Sequence, residues 1–152
     1  LMEYRSFKLE NFAFYHPGGA LGRRLLTKVH DCMNKNVPRV QEKTLFKDVI
    51  YEVSKSCQGI TLVYSGDVAV GIITDGDIRR AVQKYDDLKI VVAADIMTKG
   101  FVHILPEATI TDALSLMDEN KITSLVVPEN DSPRAPIVGI LHIHNIFDFK
   151  NK

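Results

Sequence analysis

The clearest pattern of hydrophobic and polar positions lies between residues 59 and 82. Two apolar, β-branched runs, residues 60–64 and 68–74, flank a polar turn at residues 65–67. Short apolar runs on either side of a turn that contains glycine are typical of a β-hairpin. The next apolar positions, within residues 78–82, have helical spacing. The sequence therefore predicts a hairpin that leads directly into a helix.

The polar residues at the junction of the second strand and the helix have two interpretations. Thr74 and Asp77 fit a capping box, in which the two side chains satisfy free amides at the start of a helix. The same residues can also bind a ligand: Asp77 accepts hydrogen bonds from a ribose diol, and Thr74 adds a polar contact. Gly76 would let such a ligand approach the backbone, where free amides favour an anion. Both roles are compatible in different ligand states, so both stay open.

From Asp31 onward the sequence repeats itself, which indicates tandem structural units. The matching segments are Asp31-Cys32-Met33 with Asp95-Ile96-Met97, and Gly71-Ile72-Ile73-Thr74 with Gly139-Ile140-Leu141-His142. Each copy also has a strand candidate, at residues 37–40 and 101–105. Apolar stripes with helical spacing follow: Phe46, Val49, Ile50 and Val53 in the first copy, and Ile110, Ala113, Leu114 and Met117 in the second.

The repeat predicts an α+β fold of two tandem β-α-β-β-α units, residues 30–85 and 86–152. One such unit is near the lower size limit for independent stability, whereas two can share a core. We therefore expect the two units to pack sheet to sheet with pseudo-two-fold symmetry. Met33, Met97 and Met117 lie on apolar faces and are predicted core residues.

Residues 1–29 do not belong to the repeat, and we interpret them as a linker. A Pro-Gly-Gly turn after His16 precedes one helical stripe of apolar residues. The alternative is that the Gly18-Gly19 amides and an arginine, Arg23 or Arg24, bind a phosphate, with His16 as a proton carrier. Within this chain the linker interpretation is favoured because no acid–base partner lies near His16 in the sequence.

Composition excludes several classes of partner. Lys and Arg total 19 and Asp and Glu total 19, so no basic excess favours nucleic acid. No apolar run approaches the length of a membrane span, and the N-terminus lacks the layout of a signal peptide. Two cysteines, Cys32 and Cys57, indicate no disulfide framework and are typical of a reducing compartment. We therefore expect a cytoplasmic protein with neither a nucleic-acid nor a membrane partner.

The tandem units resemble a pair of CBS domains, a Bateman module, over about residues 30–148. The resemblance depends on the Asp-x-Met opening of each unit and on the closing pattern Gly-hydrophobic-hydrophobic-Thr-x-x-Asp, which the first unit has in full. It implies a regulatory module whose clefts bind adenine or other nucleotides, and in which Thr74 and Asp77 contact the ribose of the ligand. Arg79 is then a candidate phosphate contact, and Thr123 is a candidate in the second cleft.

Residues 16–23 resemble the linker of bacterial arabinose-5-phosphate isomerases, which joins a sugar-isomerase domain to a CBS pair. Those enzymes interconvert ribulose 5-phosphate and arabinose 5-phosphate for the eight-carbon acid sugar of lipopolysaccharide. The resemblance implies that this chain is a C-terminal fragment, and that His16 completes a catalytic site only in the full-length parent. We expect no turnover by the fragment, no required cofactor, a homodimer of CBS pairs and a tetrameric parent.

The second repeat departs from the usual CBS pattern, with His142 in place of Thr and Asn145 in place of Asp. Asn145 can still bind a diol but brings no charge. His142 and His144 alternate on a predicted strand end, so we expect them to face one side and to approach an anion. A cytidine-activated form of the eight-carbon sugar acid is therefore a candidate feedback ligand, besides adenine nucleotides. The alternative is two partly exposed histidines without a ligand.

A metal site at His142 and His144 is not expected, because no Cys, Asp or Glu is placed to complete it and only the distant His103 remains. Two functions stay open for the whole chain. In the first, ligand binding in the clefts is coupled to the conformation of the isomerase domain. In the second, the pair drives oligomer assembly and its clefts are vestigial.

Overall fold

The computed structural model of the chain describes residues 25–56 and 58–147. His16 and Cys57 therefore lie outside the described residues, as do the first 24 residues of the predicted linker. The helices are α1 (Val29–Cys32), α2 (Phe46–Ser56), α3 (Asp75–Lys84), α4 (Ala93–Ile96), α5 (Ile110–Asn120) and α6 (Ile143–Phe147), with a 3-10 turn at Leu88–Ile90. The strands are β1 (Arg39–Gln41), β2 (Ile60–Ser65), β3 (Val68–Thr74), β4 (Thr98–Lys99), β5 (Ser124–Pro128) and β6 (Ile137–His142). The predicted α+β class is confirmed.

One compact unit comprises residues 36–101 and 132–137. Its sheet has the strand order β1-β2-β3-β4, with β1 parallel to β2 and antiparallel pairing of β2 with β3 and of β3 with β4. The predicted hairpin is therefore confirmed as β2 and β3, with a register shift between Val63 and Tyr64. The side chains of Phe46, Val49 and Ile73 lie in the core of this unit.

The first predicted strand is displaced by a proline. Residues 37–40 were expected to form it, whereas β1 is Arg39–Gln41. Pro38 has no amide to donate to a sheet, but its carbonyl accepts the amide of Leu62 at 3.0 Å. Pairing with β2 therefore begins at Arg39, opposite Leu62.

The other compact unit contains, among the described residues, 25–35, 102–131 and 138–147. Strands β5 and β6 form its two-stranded sheet. The predicted helical stripe is confirmed in α5, where Ile110, Ala113, Leu114 and Met117 are all buried. In α2 the corresponding stripe is buried except for Ile50, which is 36% exposed.

The strand expected at residues 101–105 is not formed. His103 makes a single parallel bridge to Val126, and two amide–carbonyl bonds flank it, from Val126 to Val102 and from Ile104 to Val126. The chain turns immediately afterwards, where the Ala108 amide donates to the Leu105 carbonyl. Because the turn begins this early, only one residue pair forms here, whereas β1 and β2 of the first repeat are joined by three residue pairs.

The opening segment of each repeat packs with the closing strand of the other repeat. Thr98 pairs with Ile72 in β3, and Asn34 forms an antiparallel bridge with Ile140 in β6. The compact units are consequently interleaved in sequence, whereas the predicted boundaries follow the sequence repeat. Among residues 25–56 and 58–147, no helix is long and apolar enough to cross a bilayer.

Candidate ligand-binding site

The junction between β3 and α3 is a complete capping box. The Thr74 amide donates to Asp77 Oδ2 at 2.9 Å, and the Asp77 amide donates to Thr74 Oγ1 at 3.4 Å. Thr74 has an extended backbone, as an N-cap residue requires, so its hydroxyl faces the first turn of the helix. The capping interpretation is therefore confirmed, and the two predicted side chains lie in contact.

Asp77 is buried and has partners on both carboxylate oxygens. Its side chain is 6% exposed. The Thr74 hydroxyl donates to Oδ2 at 3.2 Å, while Oδ1 accepts from Arg80 Nη2 at 2.7 Å and from Thr98 Oγ1 at 3.2 Å. A buried carboxylate is tolerated only where such donors compensate its charge. The site is thus a preorganised anionic acceptor at the end of β3.

The arginine that contacts Asp77 is Arg80, and not the predicted Arg79. Residues three apart on a helix are neighbours, whereas residues two apart do not face each other. Asp77 and Arg80 have this three-residue spacing, so helical periodicity was a signal that could have identified Arg80 from the sequence. Arg79 is exposed, and its role as a phosphate contact stays a prediction.

Thr98 was not identified from the sequence as a site residue. It lies 21 positions beyond Asp77, in β4. The β3–β4 register brings it to the site, because Thr98 is the partner of Ile72 two residues before Thr74. The available signal was the repeat itself, since Thr98 follows the second Asp-x-Met segment directly.

Gly76 lies close to the side chains of Arg80 and Thr74. A Cβ atom at this position would lie 3.3 Å from Arg80 Nη1 and 3.6 Å from Thr74 Oγ1. The backbone there is not left-handed, so a side chain at this position would be limited by the space beside Arg80 and not by the backbone conformation.

The equivalent junction in the other unit uses different atoms for the same purpose. The His142 amide donates to Asn145 Oδ1 at 2.8 Å, and the His144 amide donates to His142 Nδ1 at 3.0 Å. An imidazole nitrogen that accepts a hydrogen bond carries no proton, so His142 is neutral and bears its proton on Nε2. The Thr123 carbonyl accepts the Ile143 amide at 2.9 Å, which brings Thr123 next to the start of α6.

The prediction that His142 and His144 alternate on a strand end was wrong. Strand β6 ends at His142 and α6 begins at Ile143, because Asn145 and His142 cap a helical turn at this point. The two rings are nevertheless close, with centroids 4.6 Å apart. Burial and, secondarily, the nearby charge of His144 lower the pKa of His142 below 6.5. A doubly charged histidine pair is therefore disfavoured here.

His103, the distant candidate for a metal ligand, is occupied elsewhere. Its Nε2 atom lies 3.0 Å from Asp131 Oδ1 in an exposed contact. In the part of the chain that the structure describes, no group of three or more His, Cys, Asp or Glu side chains could hold a metal ion.

A separate depression of about 420 Å³ lies between β1 and α2. It is lined by Arg39, Val40, Gln41, Thr44, Asp48, Tyr51 and Glu52. This lining includes none of the predicted ligand residues and combines one guanidinium with two carboxylates. The ligand hypothesis therefore depends on the side chains around Asp77 and not on this depression.

Two repeated units, each closing on a capped strand–helix junction, define the class of protein. Residues 29–84 and 92–152 match the CBS domain family, and the chain belongs to this family. The arabinose 5-phosphate isomerase KdsD of Escherichia coli (strain K12) is 36% identical over 149 residues, 96% of this chain and 44% of that protein. The arabinose 5-phosphate isomerase KpsF of Escherichia coli is 41% identical over 141 residues, 92% of this chain and 43% of that protein.

The resemblance predicted from the sequence is thus confirmed, and the chain spans less than half the length of these two relatives. Among solved structures, the CBS domain protein PAE2072 from Pyrobaculum aerophilum, complexed with AMP, has a TM-score of 0.68. It is 20% identical, and the match covers 78% of this chain and 89% of that one. At this identity the comparison supports the fold.

Proposed function

We propose that this CBS pair is the ligand-sensing module of an arabinose 5-phosphate isomerase. The similarity to KdsD and KpsF extends over nearly the whole chain and supports this assignment. The parent enzyme would interconvert ribulose 5-phosphate and arabinose 5-phosphate in the cytoplasm, for the sugar acid of lipopolysaccharide. Residues 1–29 would link the module to the sugar-isomerase domain, where His16 completes the catalytic site. The module itself requires no cofactor and has no turnover.

The observation that carries the ligand proposal is the buried carboxylate of Asp77 beside Thr74. Capping the helix needs one carboxylate oxygen, and the other is directed to side-chain donors. A ribose diol can take the place of such donors, since it presents two hydroxyl groups to one carboxylate. The AMP complex of PAE2072, a protein of the same fold, supports an adenine nucleotide as ligand.

For the junction at His142 we propose an acidic sugar nucleotide, the cytidine-activated eight-carbon sugar acid. Asn145 accepts hydrogen bonds without adding negative charge. The junction at Asn145 is therefore more favourable for an anionic ligand than the junction at Asp77, whose carboxylate would repel it. Because Nδ1 of His142 is engaged by the His144 amide, His142 would contact the ligand through Nε2. His144 is exposed and would contribute its ring, and Thr123 its exposed side chain.

Calorimetry of the intact chain with AMP, ATP and the cytidine-activated sugar acid tests the sensing function. We expect saturable binding of at least one of them, weakened roughly tenfold or more in Asp77→Asn, because a hydrogen bond to a charged group is lost. Asp112→Asn is the matched control, since Asp112 occupies the same position of a capping box in α5 but is exposed. Equal affinities of the wild type and Asp77→Asn would exclude Asp77 as a ligand residue.

The alternative function is an oligomerisation module with vestigial clefts. Exposed apolar side chains on α2 and α3 favour it: Tyr51 is 63%, Val82 is 52% and Ile50 is 36% exposed. Exposed apolar side chains of this size mark an interface where they form one contiguous patch. Sedimentation velocity would then show a stable homodimer that Tyr51→Asp or Val82→Asp dissociates, while calorimetry with all three ligands shows no heat. In the parent enzyme the same contacts would support a tetramer.

A further inference from the structure

The guanidinium of Arg80 occupies the carboxylate oxygen that the proposed ligand would need. Nη2 of Arg80 donates to Asp77 Oδ1 at 2.7 Å, the shortest hydrogen bond to this carboxylate. The two side chains differ strongly in exposure, since Arg80 is 70% exposed and Asp77 is 6% exposed. Arg80 can therefore move into solvent at little desolvation cost, whereas the carboxylate cannot.

We propose that Arg80 is a displaceable latch on Asp77, and that this site consequently selects diols that also carry a phosphate. The inference rests on the proposed function and adds to it the chemical class of the ligand. A diol that binds Oδ1 must displace the guanidinium. A phosphate on the same ligand then offers the released guanidinium a bidentate anionic partner.

An uncharged nucleoside has no such group. It would separate the Asp77 and Arg80 charges and leave the buried carboxylate with neutral donors alone, which is unfavourable. The contact between Arg80 and Asp77 therefore lowers the affinity for nucleosides more than the affinity for nucleotides or sugar phosphates.

Gly76 provides the space that the latch occupies. A Cβ atom there would approach Arg80 Nη1 to 3.3 Å, closer than most Cβ contacts, and would lie at an ordinary contact distance of 3.5 Å from Nη2. Gly76→Ala is therefore expected to push the flexible guanidinium away from Asp77 while the arginine remains in the chain. The junction of the other unit has Asn145 at the equivalent position, and a neutral amide requires no counterion, so the latch belongs to the Asp77 site.

The test compares AMP with adenosine by calorimetry on the intact chain. In the wild type we expect AMP to bind more tightly than adenosine. In Arg80→Ala we expect adenosine to bind roughly threefold to tenfold more tightly, because a partly exposed ion pair no longer competes, while AMP gains nothing. Gly76→Ala should shift adenosine in the same direction. Lys84→Ala, which removes an equal charge one turn further along α3, is the matched control and should leave the preference unchanged.

The possible outcomes distinguish the proposed role of Arg80 from the proposal that the Asp77 site binds a nucleotide. AMP binding with an AMP-to-adenosine preference that Arg80→Ala does not alter would overturn the latch and leave the nucleotide site intact. Binding of adenosine to Arg80→Ala alone, with neither compound binding the wild type, would support the latch and overturn the proposed sensing of AMP. If neither compound binds either chain, the latch and the assignment of AMP to the Asp77 site are both overturned.

Discussion

Asp77 and Asn145 occupy the same place in the two repeats, and their chemistry gives the two junctions different electrostatics. Both side chains accept a backbone amide three residues earlier, at 2.9 and 2.8 Å. Capping is therefore common to carboxylate and amide. Only the carboxylate also holds Arg80 and Thr98, which makes the Asp77 junction a charged site and the Asn145 junction a neutral one.

At the residue scale, His142 should make the protein sensitive to mild acid. Its pKa is lowered by burial and then by His144, so the unfolded chain binds this proton more readily than the folded chain. The free energy of unfolding should be highest above pH 6.5 and fall as the pH decreases through the folded pKa. Protonation at Nδ1 also removes the acceptor of the His144 amide. Thermal unfolding at a series of pH values between about 5 and 7.5 measures this effect.

The informative variant is His142→Thr. It places before α6 the same hydroxyl group that Thr74 provides before α3, and it removes the imidazole that titrates. Its midpoint temperature should depend less on pH than that of the wild type. His103→Asn is a control for histidine loss in general, because His103 contacts Asp131 on the surface. A pH dependence in His142→Thr equal to that of the wild type would contradict the assignment.

At the scale of elements, helices that begin in equivalent places are started in different ways. Helix α5 has a capping box formed by Thr109 and Asp112. Helix α2 follows Leu45, which has no side-chain acceptor, and the amide of Phe46 donates instead to the Val91 carbonyl at 2.9 Å. The amide of Ile110 in α5 likewise donates to a distant carbonyl, that of Thr27, at 2.9 Å. Both helix starts therefore pair with a segment distant in sequence, and α5 has a local side-chain cap in addition.

Removing the local cap should measurably weaken α5. Thr109→Ala deletes the oxygen that accepts the Asp112 amide at 3.2 Å, and the free energy of unfolding should fall by about 1 kcal/mol. Ser115→Ala, which removes an exposed hydroxyl within the same helix, should be neutral or slightly stabilising. Urea unfolding of both variants measures the difference, and similar stabilities would show that the box does not hold the helix start.

At the scale of the whole molecule, the chain order of the repeats differs from their assembly in space. Met97 and Thr98 open the second repeat but lie against Gly71 in β3, and Met33 and Asn34 lie against Gly139 in β6. These close crossings leave no room for a side chain on either glycine. Each closing strand is therefore completed by a segment distant in sequence, and the junction at Asp77 gains Thr98 in this way.

Gly71→Ala tests the close crossing. The added Cβ would lie 2.6 Å from the Thr98 carbonyl oxygen, and overpacking against a backbone atom should cost about 1–3 kcal/mol of unfolding free energy. Displacement of β4 should also separate Thr98 from Asp77. Gly76→Ala is the stability control, because the nearest atoms to its Cβ belong to the side chains of Arg80 and Thr74, at 3.3 to 3.6 Å, and not to the backbone. Equal stability of the two variants in urea would argue against the β3–β4 contact.

The sequence by itself determined the features that depend on neighbouring residues. The hairpin β2–β3, the apolar face of α5 and the capping contact between Thr74 and Asp77 all follow from spacings of a few positions. The pairing of Asp77 with Arg80 belongs to this group as well, because helical periodicity specifies it. The order of the motifs, repeated twice, was sufficient to identify the CBS family.

The tertiary structure alone decided which distant segments meet. Thr98 reaches Asp77 through a strand register, and the turn after Leu105 leaves a single bridge where a strand was expected. The ring of His142 became a helix cap because β6 ends there. Such contacts depend on how separate elements share a core and satisfy one another's backbone groups, and local spacing in the sequence does not carry that information.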